Sequence, residues 1–251
     1  MNLKRHIPNL FTLANLFCGT VATIYAVEGA FEEAAFFVVL GIVFDFFDGF
    51  LARLLKVSGE LGKQLDSLAD VVTSGVAPGI IMFMLMNENA YDHYSNFSKI
   101  DLQPSMSTYE IVAYVGLLLT LAACYRLAKF NLDTRQSESF IGLPTPAMSL
   151  FIVSLPLIQA NTDIQIVSNL ISNNYFLTAI IILLSFLMNT ELPLFSLKFK
   201  SYALKENFIK YLFLLTSLIC IVLLQFLSIP LIVILYVLLS IIQNARVKSR
   251  I

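Results

Sequence analysis

The chain has 251 residues, 58% of them hydrophobic and only 13% charged, with a net charge of −1 and a mean hydropathy of +0.80. A soluble domain carries about 25% charged residues, so this composition excludes an ordinary water-soluble globule and predicts an all-α integral membrane protein. The near-zero net charge selects no class of macromolecular partner, and no nucleic-acid partner is expected.

Residues 1–8 are short and basic, and no Ala-x-Ala-like cleavage site follows them, so no cleavable leader is expected. Pro8 suits the entry to a first span. Apolar runs long enough to cross a bilayer follow at 10–28, 33–55, 65–86, 108–130, 144–160, 174–192, 208–226 and 229–244. They predict a polytopic bundle of about eight transmembrane helices, or six if two of the last runs do not cross. Polar loops are expected at 87–107, 161–173 and 196–207. Cys18, Cys124 and Cys220 are far apart within apolar runs, so they read as small hydrophobes rather than a disulfide or zinc site. Residues 1–150 carry the motifs described below and are expected to form the catalytic core. Residues 151–251 are read as transmembrane helices that complete the bundle.

Lysine and arginine set the expected orientation. With the N-terminus in the cytoplasm, every one of the 16 Lys and Arg residues except Lys99 falls on the cytoplasmic side. This bias requires an even number of spans and puts both termini inside. It also places residues 45–70 at the cytoplasmic ends of the second and third spans.

That segment reads Asp45-x2-Asp48-Gly49-x2-Ala52-Arg53-x8-Gly62-x3-Asp66-x3-Asp70. An intramembrane charge costs about 2.5–3.5 kcal/mol even on a lenient scale, so the uncompensated aspartates together cost on the order of 10 kcal/mol. Asp45 and Asp48 share one helical face, as do Asp66 and Asp70. Lys56-Val57-Ser58-Gly59 marks a break between the two helices, so an antiparallel pair gathers the carboxylates at one end. Oxygen ligands without histidine or cysteine suit Mg²⁺, Mn²⁺ or Ca²⁺, and a pair of such ions is a recurring device for phosphoryl displacement. Arg53 offers a planar fork to phosphate, while Gly49, Ala52 and Gly62 leave room for a base or phosphate to approach the backbone. These residues point to a metal-dependent diphosphate site. Buried carboxylates also mark ion pathways, so a carboxylate-based ion or solute carrier is the alternative from a different class.

The run resembles, at each defined position, the signature of the CDP-alcohol phosphotransferase family. Flanking segments resemble the serine-accepting branch of that family. These are Ile7-Pro8-Asn9-Leu10-Phe11-Thr12-Leu13-Ala14-Asn15-Leu16, Asp66-Ser67-Leu68-Ala69-Asp70 with Gly75-Val76-Ala77-Pro78, Tyr125-Arg126-Leu127-Ala128-Lys129-Phe130-Asn131, and Phe140-Ile141-Gly142-Leu143-Pro144-Thr145-Pro146-Ala147. The likeness covers about residues 3–150. It departs at Lys129, where arginine is expected, at Ser74, where phenylalanine is expected, and at Gly59, where the expected hydroxyl is displaced to Ser58.

The resemblance implies a homodimeric helical membrane enzyme that moves a phosphatidyl-type group from a CDP-linked lipid to an alcohol and releases CMP. It implies CDP-diacylglycerol and L-serine as substrates in the bilayer of a bacterial cytoplasmic membrane; a glycerol-3-phosphate or inositol-type acceptor is the alternative. By position, Asp45, Asp48 and Asp66 resemble the metal ligands, with Asp70 as a further ligand and the general base. Asn9, Thr12, Gly49, Ala52, Arg53 and Gly62 resemble the CDP-lipid pocket. Arg126, Lys129, Asn131 and Arg135 are the acceptor-binding candidates. Two plainer roles stay open: Asn9, Thr12 and Asn15 as ties between helices, and Arg126, Lys129 and Arg135 as positive-inside anchors.

Overall fold

A computed structural model describes residues 6–57, 59–95, 108–133, 140–195 and 207–248. Helices α1 (His6–Val27) and α2 (Phe31–Leu55) form an antiparallel pair joined by a tight turn. Gly29 allows that turn because it takes a φ of 74°, the left-handed region open to glycine. Pro8 lies in the first turn of α1, where its missing N–H costs nothing. Glu32 and Glu33 open α2 and Arg53 closes it, matching charge to the helix dipole at both ends. Lys56 ends α2 in the left-handed conformation, its N–H directed to the carbonyls of Ala52 and Arg53.

The third crossing is a composite: α3 (Glu60–Val71), a π-turn over Val72–Val76, and α4 (Ala77–Ser95). Pro78 follows directly and has no N–H for the Ser74 carbonyl, so the ordinary ladder is already interrupted there. Then come α5 (Thr108–Ala113), a 3₁₀ turn over Tyr114–Leu117, and α6 (Leu118–Leu132). The α4–α5/α6 contact is close because Gly79 and Gly116 face each other, and a Cβ on Gly116 would stand 2.9 Å from the Phe83 nitrogen.

Residues after 140 add a two-residue antiparallel ladder, β1 (Phe140–Ile141) with β2 (Pro193–Leu194). They also add α7 (Thr145–Asn161), α8 (Gln165–Ile171), α9 (Asn174–Asn189), α10 (Phe208–Leu224) and α11 (Ser228–Lys248). The ladder is the one departure from the all-α expectation among the described residues. The buried core is shared across the chain, with Ala22, Val38, Ile81, Met82, Leu119, Ile152 and Ile181 in one cluster.

By length and apolarity, 5 helical segments can cross a membrane, or up to 6 if the α8–α9 pair, bent by 72°, is one span. The expected count of about eight is therefore not reached by this measure. The run at 144–160 forms the shorter helix Thr145–Asn161, and those at 208–226 and 229–244 fall within one 37-residue stretch, Phe208–Asn244. That stretch is broken at Gln225, which has a φ of 45°, and α10 packs back on α11. Many large apolar side chains are exposed on α1, α2 and α10, including Phe17, Phe36 and Leu223, as a lipid-facing surface requires. Cys18 is buried, Cys124 is exposed and all three cysteines are free thiols.

Candidate active site

The site lies where the end of α2 and the start of α3 meet the start of α1. Asp45 and Asp48 sit three residues apart on α2 and face α3, as helical spacing requires. Asp66 comes from α3, and oxygens of Asp45, Asp48 and Asp66 all lie within 4.8 Å of one another. The carboxylates of Asp45 and Asp66 come within hydrogen-bonding reach. Carboxylates can only accept, so this trio repels itself unless a proton or cation sits among them. Asp66 Oδ1 is buried without a hydrogen-bond partner. A cluster of acceptors with an orphaned oxygen and no nitrogen or sulfur donor fits a hard divalent cation.

Asp70 lies outside that group of three. Its Oδ1 accepts a 3.1 Å hydrogen bond from Asn15 Nδ2 of α1. Asp48 also has an α1 partner: the Thr12 hydroxyl stands 2.5 Å from Asp48 Oδ2 and 3.2 Å from the Pro8 carbonyl. Thus α1 supplies a donor to one carboxylate of α2 and to one of α3.

Beside the trio opens a cleft of about 210 Å³. Asn9, Thr12, Gly49, Ala52 and Gly62 line it, so five of the six residues expected to hold the CDP-lipid are brought together. Gly62 brings α3 close to α1, since a Cβ there would stand 3.4 Å from Asn9 Oδ1. Arg53 is exposed and absent from this lining; both its terminal nitrogens would stand 3.9 Å from a Cβ on Gly49. Asp48 and Asp66 themselves line it, and Pro8, Val57, Gly59 and Lys63 complete the walls. Lys63 was missed as a site residue, although it adjoins Gly62 and precedes Asp66 by one helical turn.

The acceptor candidates separate. Arg126 on α6 is 7% exposed, its Nε has no hydrogen-bond partner, and its charge attracts that of Asp70. Asn131 reaches α3, donating to the Ser67 hydroxyl at 2.7 Å, while its carbonyl accepts from Lys63 Nζ at 2.8 Å. Lys129 turns away to pair with Glu191 at 3.5 Å. Arg135 lies outside the described residues.

A cluster of carboxylates that could hold a hard cation, beside a cleft in an apolar helical bundle, is the arrangement of a membrane protein with a candidate metal site. The chain belongs to the CDP-alcohol phosphatidyltransferase family, whose model matches residues 5–190. It is 35% identical over 148 residues to the CDP-diacylglycerol–serine O-phosphatidyltransferase of Helicobacter pylori strain J99, covering 58% of this chain and 55% of that protein. It is 32% identical over 154 residues to the enzyme of that name from Bacillus subtilis strain 168, covering 60% of this chain and 75% of that protein. It is 29% identical over 151 residues to the archaetidylserine synthase of Methanothermobacter thermautotrophicus, covering 59% of this chain and 56% of that protein. The match thus spans little more than half the length of the Helicobacter and Methanothermobacter relatives.

Proposed function

We propose that this protein is a phosphatidylserine synthase, which transfers the phosphatidyl group of CDP-diacylglycerol to L-serine and yields phosphatidylserine and CMP. The observation that carries this reading is the Asp45–Asp48–Asp66 trio, its oxygens within 4.8 Å of one another, at the edge of a cleft lined by Asn9, Thr12, Gly49, Ala52 and Gly62. The names of the Helicobacter and Bacillus relatives favour serine as the acceptor.

In this reading Asp45, Asp48 and Asp66 would hold Mg²⁺ or Mn²⁺, one or two ions, which would supply positive charge against the diphosphate oxygens and the charge growing on departing CMP. The bare glycine and alanine surfaces admit the nucleotide, and Asn9 and Thr12 offer it polar groups. Arg53 is the cationic residue at the cleft's outer flank. Asp70 accepts the proton of the serine hydroxyl as that oxygen bonds to the lipid-side phosphorus. The bond from this phosphorus to the bridging oxygen breaks, and the oxygen leaves with CMP. Arg126, buried and near Asp70, is placed to receive the serine carboxylate. Asn131 flanks the same end of α6. The pairing of Lys129 with Glu191 gives it a lesser part.

Arg53, Lys56 and Lys63 lie at the same helix ends as the aspartates, which supports a site on the cytoplasmic side of a bacterial membrane, with cytoplasmic termini. We further take the enzyme to be a homodimer of about eight spans per subunit, with residues 1–150 as its catalytic core. The test is CMP release by purified protein with Mn²⁺, CDP-diacylglycerol and a panel of acceptors. Release with serine alone is expected. Release with glycerol-3-phosphate but not serine would overturn the acceptor assignment, and cation flux through reconstituted protein without nucleotide would favour a carrier.

A further inference from the structure

Asp70 is attached to a relay of packing that reaches the π-turn. Its Oδ1 accepts from Asn15 Nδ2 at 3.1 Å, and Asn15 is fully buried. A carboxylate only accepts, so the amide must turn its NH₂ toward Asp70 and its oxygen away. That oxygen has no hydrogen-bond partner and faces α2, where a Cβ on Gly41 would stand 3.0 Å from it. The amide orientation is therefore set by Asp70 on one side and by a glycine surface on the other.

Thr73 fixes the same stretch of α1. Its hydroxyl donates to the Asn15 carbonyl at 3.0 Å, and it is fully buried. The π-turn over Val72–Val76 carries Thr73 between α1 and α2. A Cβ on Gly19 would collide with Thr73 Oγ1 and stand 2.7 Å from its Cα, and one on Gly41 would stand 2.6 Å from its Cγ2. Only glycine at both places leaves room for this insertion. Asp70 and Thr73 are three residues apart, so the inserted threonine and its bond to α1 also fix the helix turn that carries Asp70.

We propose that Asn15, locked by Thr73 between Gly19 and Gly41, is a positioning residue that holds the Asp70 carboxylate out of the three-aspartate cluster and free for the acceptor. This rests on the reading of Asp70 as the base. Released from Asn15, Asp70 is free to turn from the attraction of Arg126 toward a cation bound at the trio. It then joins the cation as an added ligand.

The test uses the full-length protein and the variants Asn15→Leu, Thr73→Val and Thr73→Ser. Asn15→Leu lowers kcat by about 100-fold, the scale of a misplacement near 1 Å, with KM for CDP-diacylglycerol unchanged. Thr73→Val lowers kcat in the same sense, and Thr73→Ser, which keeps the hydroxyl, restores it. Electron paramagnetic resonance of Mn²⁺ without substrate shows tighter binding to Asn15→Leu, and the gain vanishes when Asp70→Asn is added. Mn²⁺ affinity that is unchanged or weakened in Asn15→Leu, or wild-type kcat in both Asn15→Leu and Thr73→Val, would overturn the proposal. A wild-type protein that binds Mn²⁺ but releases CMP with no acceptor would instead sink the proposed reaction. The resonance result then decides the positioning role alone. If Asn15→Leu does not fold, the contrast of Thr73→Val with Thr73→Ser decides it.

Discussion

Two polar clusters interrupt the apolar bundle, and they are built from different chemistry. One joins α4, α7, α8 and α9: Asn89 donates to the Ile171 carbonyl at 3.0 Å and Asn174 donates to the Met86 carbonyl at 2.8 Å. Gln159 donates to Asn89 Oδ1 at 3.3 Å and to the Ser172 hydroxyl at 3.2 Å. The other is the Asp45–Asp48–Asp66 trio. Amides carry donors and acceptors together, so the first cluster closes largely on itself, leaving Gln159 Oε1 without a partner. Carboxylates carry acceptors alone, so the second cannot close without something brought from outside. The first ties helices together, and the second is the proposed receptor for a cation. Polarity inside a membrane protein is thus a poor guide to function until the donor and acceptor balance is counted.

The largest effect separating the two clusters is expected at the trio. Asp66→Asn lowers the rate of CMP release by about 100-fold or more, yet leaves the metal-free protein no less stable, because it removes like-charge repulsion. Activity assays paired with thermal melts in detergent check both halves. Next comes Gly19→Val, which places a side chain on the Thr73 backbone. It costs about 1–3 kcal/mol of stability by overpacking and lowers activity with it, read as a fall in melting temperature.

Asn174→Leu breaks the amide cluster. It costs about 1–2 kcal/mol for the lost bond to Met86 and the unpaired groups left behind, while activity per folded molecule stays at wild type. A loss of kcat there without a loss of stability would erase the distinction between tie and receptor. The smallest effect is expected at Lys129→Ala. Its ion pair with Glu191 is largely exposed, and such pairs contribute well under about 1 kcal/mol, so neither stability nor CMP release changes measurably.

The pairing of these carboxylates was readable because helical spacing is a local property. Asp45 with Asp48, and the return of α3 after the break at Lys56, follow from intervals and from a left-handed cap. The separation of Asp70 from the trio was not readable. Asp66 and Asp70 share a face of α3, and the partner of Asp70, Asn15, comes from α1 and is distant in sequence. Thr73, carried by the π-turn, likewise packs against Gly19 and Gly41 of other helices. Lys129 looked like an anion ligand because Glu191 is distant in sequence. The span count was legible in part: the runs at 208–226 and 229–244 form α10 and α11 on either side of a break at Gln225, while by length and apolarity 5 or up to 6 segments can cross.

The central claim is that the three aspartates form a cation site that serves the cleft beside them. The most direct measurement is anomalous scattering from crystals grown with Mn²⁺ and a CDP-lipid. The account predicts a Mn²⁺ peak within about 2.0–2.3 Å of oxygens from Asp45, Asp48 and Asp66, with the diphosphate in the cleft beside Gly49 and Gly62. Mn²⁺ bound elsewhere, or an ordered CDP-lipid in the cleft of an active protein with no metal among these carboxylates, would contradict it.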